Sequence, residues 1–323
     1  MIFLTKINLI TGFLGSGKTT FIKHYASYLV AQGYKVGILE NDFGAVNVDM
    51  MLLQDALGHQ CDLEMITGGG DQQTHQRRFK TKLISMGMLK YDYLLVEPSG
   101  IYEVDEFFDV LHEEPLENWY EIGHVYTIVN AKLEQNLSKS SRYLLASQIA
   151  HASCILLSHY DEALQEEIQQ TKQLLQKSLQ EIQCSRILQD YDFYTHWNHW
   201  NDEDFQWMMS KQIIFYDYVK YDMDYQKAYT SLYFMNTHLN QESLKRTVQY
   251  LFNDTRCGDV FRIKGFICEN DQWFEMNATR QSMSLTPISI GQDVMIVIGE
   301  HLNKEEIQSY FHKKNIMMMS SYE

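Results

Sequence analysis

Along the first 190 residues of this 323-residue chain, two kinds of hydrophobic pattern take turns. Short apolar runs ending at Ile10, and spanning Lys35–Leu39, Tyr91–Val96, Val125–Val129 and Ile155–Leu157, predict strands buried on both faces. Between them apolar residues recur three and four apart. Phe21, Ile22, Tyr25, Ala26, Leu29 and Val30 predict a helix with Gly33 just past its end, and Leu164, Ile168, Leu174, Leu175, Leu179 and Ile182 predict another. Strand and helix in alternation predict a doubly wound, mostly parallel α/β domain over residues 1–190. From Ala228 the pattern changes to a strand, a helix over Gln241–Leu251, strands over Val260–Ile267, Trp273–Asn277, Ser282–Leu285 and Val294–Ile298, and a last helix over Lys304–Phe311. That order predicts a smaller α+β domain over residues 225–323. The stretch 191–224 between them is rich in aromatics and acids, with Tyr194, Trp197, Trp200, Phe205 and Trp207. It is expected to fill the junction or to form an exposed partner site. The tail from Met317 to Ser321 is expected to pack loosely.

Chemistry enters where the first strand gives way to the first helix. Gly12 to Thr19 fit G-x-x-x-x-G-K-[ST] between a strand and a helix, the context a P-loop requires. Gly12, Gly15 and Gly17, with Ser16 and Thr20, let successive backbone N–H groups surround a phosphate, and the helix adds its positive dipole end. Lys18 is placed to reach the β- and γ-phosphates, and the Thr19 hydroxyl to ligate Mg²⁺. The second predicted strand delivers Asp42, a candidate Mg²⁺ ligand, at the end where open parallel sheets bind ligands. The strand ending at Glu97, followed by Pro98-Ser99-Gly100, is a Walker B-like arrangement. There Glu97 faces the Mg²⁺ shell and the Gly100 N–H senses the γ-phosphate.

Composition narrows the partners. The formal charge is −15, and the densest basic groups, Arg77-Arg78 with Lys80 and Lys82 and the pair Lys313-Lys314, suit solvated helix faces, so nucleic acid is excluded as a partner. Five cysteines, at 61, 154, 184, 257 and 268, form no C-x-x-C pair, which predicts a reducing, cytoplasmic setting. The chain opens directly in strand-like sequence, and no run approaches about 20 apolar residues, so neither a signal peptide nor a membrane span is expected.

Together, Gly12–Thr20, Asn41-Asp42-Phe43-Gly44, Glu97-Pro98-Ser99-Gly100 and Gln148-Ile149-Ala150 resemble the CobW family of P-loop GTPases, relatives of nickel-insertion GTPases. Val260–Phe266 and Val297-Ile298-Gly299 resemble that family's C-terminal domain. The resemblance implies Mg²⁺-dependent GTP hydrolysis that drives metal delivery, or the upkeep of a metallo- or corrinoid-dependent client protein. Two departures bear on it. Where the family carries Cys-x-Cys-Cys, this chain has Met65-Ile66-Thr67-Gly68-Gly69-Gly70-Asp71-Gln72, so a transition-metal site would draw on other ligands, with His59, Cys61, His196 and His199 the candidates. Where the family carries Asn-Lys-x-Asp, this chain has Ser158-His159-Tyr160-Asp161. Asp161 and His159 are candidate base contacts; a helix cap at Asp161 stays open beside that role, and so does ATP beside GTP. The expected device is a slow switch in which hydrolysis reorders Asn41–Gly44 and Gly68–Gly70. A P-loop small-molecule kinase and a non-catalytic interaction module are the alternatives.

Overall fold

The computed structural model describes residues 4–41, 60–66, 72–100, 102–221, 229–288, 291 and 293–312. The chain forms two compact units, residues 1–222 and 223–323.

In the first unit the elements run β1 (Thr5–Thr11), α1 (Lys18–Ala31), β2 (Val36–Asn41), β3 (Cys61–Met65), α2 (Gln72–Gly87), β4 (Tyr93–Pro98), α3 (Val104–Leu111), β5 (Tyr120–Asn130), α4 (Lys139–Ala150), β6 (Cys154–Ser158), α5 (Gln165–Glu181), β7 (Phe193–Tyr194) and α6 (Asp202–Met209). Seven strands pair in the order β3-β2-β4-β1-β5-β6-β7, and each pairing is parallel. The predicted doubly wound α/β architecture is therefore present. The chain leaves β1 for one side of the sheet and later fills the other, so the order reverses beside β1, where such sheets bind ligands.

Alternate residues of each strand feed opposite faces, as a period of two demands. Ile10, Leu95, Tyr126, Ile128 and Leu156 join one buried cluster with Phe21 and Tyr25 of α1, while Leu9, Leu94, Val96 and Val125 join a second with Phe79 and Leu83 of α2 and Phe107 of α3. The buried Asn8 of β1 is satisfied on both sides of its amide: Nδ2 donates to the Tyr25 hydroxyl at 3.1 Å and Oδ1 accepts from the His124 N–H at 2.9 Å. α1 closes as predicted, with the Gly33 N–H donating to the Val30 carbonyl at 2.9 Å.

One element differs from expectation. β3 is a strand the hydrophobic pattern did not reveal, because its sequence Cys-Asp-Leu-Glu-Met carries two acids and is covered by one neighbour only, β2. The aromatic stretch is divided between surface and core, with Tyr191 and Trp207 exposed. Trp197 and Phe205 are buried in the first unit's core, where Phe205 stacks on Tyr25 and on Tyr28, at ring separations of 5.8 and 4.7 Å, and Trp200 stacks on Phe205 at 5.5 Å. Apolar rings on α1 and α6 bury each other, which outweighs the local acidity of the stretch.

After α6 the chain is strapped across α3 and α4. Phe215 packs edge-on against Phe108, the Tyr216 N–H donates to His151 Nδ1 at 3.2 Å, and Lys220 pairs with Asp105 at 2.7 Å. Burial opposes the charge of Asp105, but the Lys220 ammonium at 2.7 Å and the polar edges of His151, at 3.6 Å, and Tyr218 outweigh it and bring its pKa down to about 2.

The second unit is a five-stranded antiparallel sheet, β11-β10-β9-β12-β8, built from β8 (Tyr229–Met235), β9 (Asp259–Glu269), β10 (Gln272–Thr279), β11 (Met283–Ile288) and β12 (Val294–Glu300), with α7 (Gln241–Asn253) and α8 (Lys304–His312). Leu244, Val248 and Leu251 of α7 and Ile307 and Phe311 of α8 share its core with Ile263, Met276 and Val297. Arg262 donates to Asn277 at 3.1 Å across the β9–β10 pair, and Lys264 is buried, so neither is simply a solvated charge. The tail from Met317 and the pair Lys313-Lys314 lie outside the described residues.

Two outcomes follow. Phe205→Ala should cost about 3–5 kcal/mol in a denaturant titration, whereas Tyr191→Ala, at an exposed ring, should stay within about 0.5 kcal/mol; equal effects would contradict the buried placement. Because the Asp105 carboxyl titrates lower folded than its ordinary 3.8, its contribution is present above about pH 4 and is lost as pH falls toward 2. Asp105→Asn should accordingly cost about 2 kcal/mol near neutrality, with the gap from the parent closing over that acid window.

Candidate nucleotide site

The site gathers at the C-terminal ends of β1, β4 and β6. Gly12 to Thr19 connect β1 to α1, and Gly17, the residue before the helix, has φ 105°, a left-handed conformation that a side chain would strain. A Cβ there would also lie 2.9 Å from the Trp197 ring, so glycine is needed twice over. The buried Lys18 directs its ammonium back along the loop, donating to the carbonyls of Gly12 at 3.0 Å and Phe13 at 3.4 Å. No acidic side chain stands in the first turn of α1 to offset the helix dipole. Ser16 Oγ is buried without a hydrogen-bond partner among the described residues, a polar atom that a phosphate oxygen would satisfy. Gly15 also takes a positive φ, and Thr20 is exposed on the first helical turn.

Beside the loop, the predicted Mg²⁺ ligands Thr19 and Glu97 meet. The Thr19 hydroxyl lies 3.0 and 3.1 Å from the two carboxylate oxygens of Glu97, which is 7% exposed. Glu97 stands in register with Glu40 of β2, itself 2% exposed, so two carboxylates share one face of adjacent strand ends. These hard oxygens fit Mg²⁺ better than a soft ion. Sequence reasoning passed over Glu40, although an acid closing a buried strand is the same signal that marked Glu97. Asp42 and the Gly68–Gly70 loop lie outside the described residues, as does His59.

After β4, Gly100 runs against the P-loop: a Cβ on it would come within 2.8 Å of the Leu14 nitrogen. Gln148 of α4, fully buried, donates to the carbonyls of Gly100 at 3.2 Å and Tyr102 at 3.4 Å, and so pins this backbone from behind.

On the base side, β6 ends at the buried Ser158, and His159 follows with φ 55°. Its Nδ1 lies 3.3 Å from both oxygens of Glu162, which also pairs with Lys132 at 3.2 Å. Lys132 first, then His159, hold the Glu162 carboxyl below its ordinary value. Asp161 lies in a 3-10 turn and accepts from Asn198 Nδ2 at 2.8 Å. It caps no helix. The next helix starts at Gln165, four residues on, where the Glu167 carboxylate accepts from the Leu164 N–H at 2.8 Å. His196 and His199 stand in a turn in which the His199 N–H donates to the His196 carbonyl at 3.4 Å, not on a helical turn. Among the described residues no three His, Cys, Asp or Glu side chains group as metal ligands, and no helix is long and apolar enough to cross a membrane. Burial first, with Asp62 nearby, pushes the Cys61 thiol up to about 11. Trp197 and Asn198 went unnoticed as site residues because they follow β7, a strand of two residues with no pattern to find.

Comparison with known proteins gives the following matches. Residues 6–186 match the nucleotide-binding domain of CobW/HypB/UreG, and residues 226–314 match the C-terminal domain of cobalamin synthesis protein CobW. The zinc chaperone YeiR of Escherichia coli (strain K12) is 31% identical over 164 residues, 50% of this chain and 49% of that protein. The zinc chaperone YjiA of the same strain is 26% identical over 167 residues, 49% of this chain and 50% of its own. The chain thus spans about half the length of the curated relatives it matches. Among solved structures, the Zn(II)-bound YjiA GTPase from E. coli covers 96% of this chain and 98% of its own at 18% identity, with a TM-score of 0.41.

The cysteines give a direct check on the site's chemistry. At pH 8 a thiol reagent should modify the exposed Cys268 first, while Cys61 and Cys154, pushed by burial to about 11 and about 12, should react only in denaturant. Native-state labelling of Cys61, located by peptide mass spectrometry, would show an accessible thiolate instead.

Proposed function

This chain belongs to the CobW/HypB/UreG family, and from that premise we propose that it is a Mg²⁺-dependent, GTP-hydrolysing switch that serves transition-metal delivery to a client protein in the cytoplasm. The observation that carries the hydrolytic part is the Thr19 hydroxyl within 3.1 Å of both Glu97 oxygens beside a P-loop that holds Lys18. Thr19 and Glu97, directly or through water, are the residues that would hold Mg²⁺, with Asp42 as a further candidate. The cation supplies charge neutralisation at the β- and γ-phosphate oxygens.

The protein's own groups do the rest. Backbone N–H groups of Gly15 to Thr19 and the N-terminus of α1 bind the phosphates, and Lys18 turns its ammonium from the loop carbonyls to the β- and γ-phosphate oxygens. Water attacks the γ-phosphorus in line, the bond to the β-bridging oxygen breaks, and GDP and phosphate leave. The Gly100 backbone, held by Gln148 against the P-loop, registers whether the γ-phosphate is there. Turnover is slow, which suits a switch timed by its client.

Asp161 selects the base. An ionised carboxylate only accepts hydrogen bonds, and guanine offers N1–H and N2–H₂ on the edge where adenine offers an unprotonated N1. Guanine pairs with such a group and adenine opposes it. The metal part rests on the relatives: YeiR and YjiA are zinc chaperones, and zinc is accordingly the first cargo to test.

Purified protein should release phosphate from GTP in Mg²⁺ without any acceptor, and Lys18→Ala should slow this about 100-fold or more. Calorimetric titration with a non-hydrolysable GTP analogue, with and without Zn²⁺, tests the cargo. Nucleotide affinity indifferent to Zn²⁺, Co²⁺ and Ni²⁺ would sink the metal-delivery part and leave the switch standing.

A further inference from the structure

Asp161 is exposed, on a short 3-10 turn, and nothing in that turn fixes its carboxylate plane. An unheld carboxylate turns between staggered wells, and a base edge with two donors needs it in one of them. The group that holds it comes from 37 residues further along the chain: Asn198 Nδ2 donates to Asp161 Oδ2 at 2.8 Å. A carboxylate partner can only accept, so the amide nitrogen, not the oxygen, faces Asp161.

Asn198 is itself held by rigid neighbours. The preceding Trp197 is buried, its ring lies against the P-loop at Gly17, and it packs edge-on to Trp200 at 5.4 Å. Trp200 in turn stacks on Tyr194 of β7 at 5.0 Å. The turn that carries Asn198 is closed by the bond from the His199 N–H to the His196 carbonyl. One segment after β7 therefore touches the phosphate loop through a ring and the base carboxylate through an amide.

We propose that Asn198 is a positioning residue for the nucleotide base, fixing the Asp161 carboxylate so that the protein prefers guanine to adenine. Selectivity then depends on a side chain outside Ser158–Asp161. Asn198 uses one acceptor site of Oδ2, which leaves Oδ1 and the second lone pair of Oδ2 for the N1–H and N2–H₂ donors of guanine. This inference rests on the reading of the site as a guanine site.

The test uses the full chain and fluorescent analogues of GTP, ATP and ITP, the last lacking the N2 amine. Asn198→Ala should weaken GTP binding about tenfold, the scale of one hydrogen bond to a charged group, and leave ATP binding within about twofold. Asn198→Asp should weaken GTP binding further, since it sets a second carboxylate against the first. ITP should lose less than GTP. In an Asp161→Ala background, Asn198→Ala should have no further effect on GTP. Equal losses for GTP and ATP, as a merely structural role would give, overturn the proposal, and so does an additive loss in the double variant. If the unaltered protein binds ATP as tightly as GTP, or if Asp161→Ala leaves their ratio unchanged, the guanine reading itself fails, apart from any role of Asn198. Asn198 is exposed, so its variants are expected to fold, and thermal unfolding checks that they do.

Discussion

A carboxylate shut away from water at the end of a strand costs several kcal/mol unless its oxygens are met by donors, and Glu97 is such a group. The Thr19 hydroxyl, placed between its two oxygens, joins the end of β4 to the first turn of α1. Glu40 in the next strand sets a second buried carboxyl group on that face. Hard oxygen donors gathered at adjacent strand ends suit a divalent cation such as Mg²⁺. This one polar contact closes the P-loop end of α1 onto the central strand β4.

The second determinant is the packing of α1. Its N-terminus follows directly on the P-loop, and its buried rings, Phe21 and Tyr25, lock into an aromatic block contributed by residues 194–205. Trp197, in the same block, lies against Gly17. The P-loop and the turn that carries Asp161 are thus joined through one segment whose rings pack in the core. A similar linkage runs the other way. Gln148 ties Gly100 to α4, and the strap at residues 213–221 ties α3 and α4 to the chain that enters the second unit.

Much of this was legible in the residues. The P-loop declares itself because its spacing, its glycines and its place between a strand and a helix are all local requirements, and Glu97-Pro98-Ser99-Gly100 is nearly as plain for the same reason. Strands buried on both faces, such as Leu94–Val96 and Ile155–Leu157, show as unbroken apolar runs. The second unit's order of strands and helices also follows from local periodicity.

What the sequence by itself determined, then, is every feature whose cause lies within about ten neighbouring residues: the phosphate loop, the central strands, the helices with strong apolar spacing. Tertiary structure alone decided the features whose cause lies far along the chain. β3 becomes a strand because β2 is there to pair with it, and β7 is too short to announce itself. The aromatics after Tyr191 look like a surface until α1 is set against them. Asp161 meets Asn198 only because a segment 37 residues away folds back beside it, and Gln148 gains its contact only where α4 passes behind Gly100, 48 residues earlier. Such pairs carry no periodic signal, since the energy that fixes them is released only when distant segments are already packed.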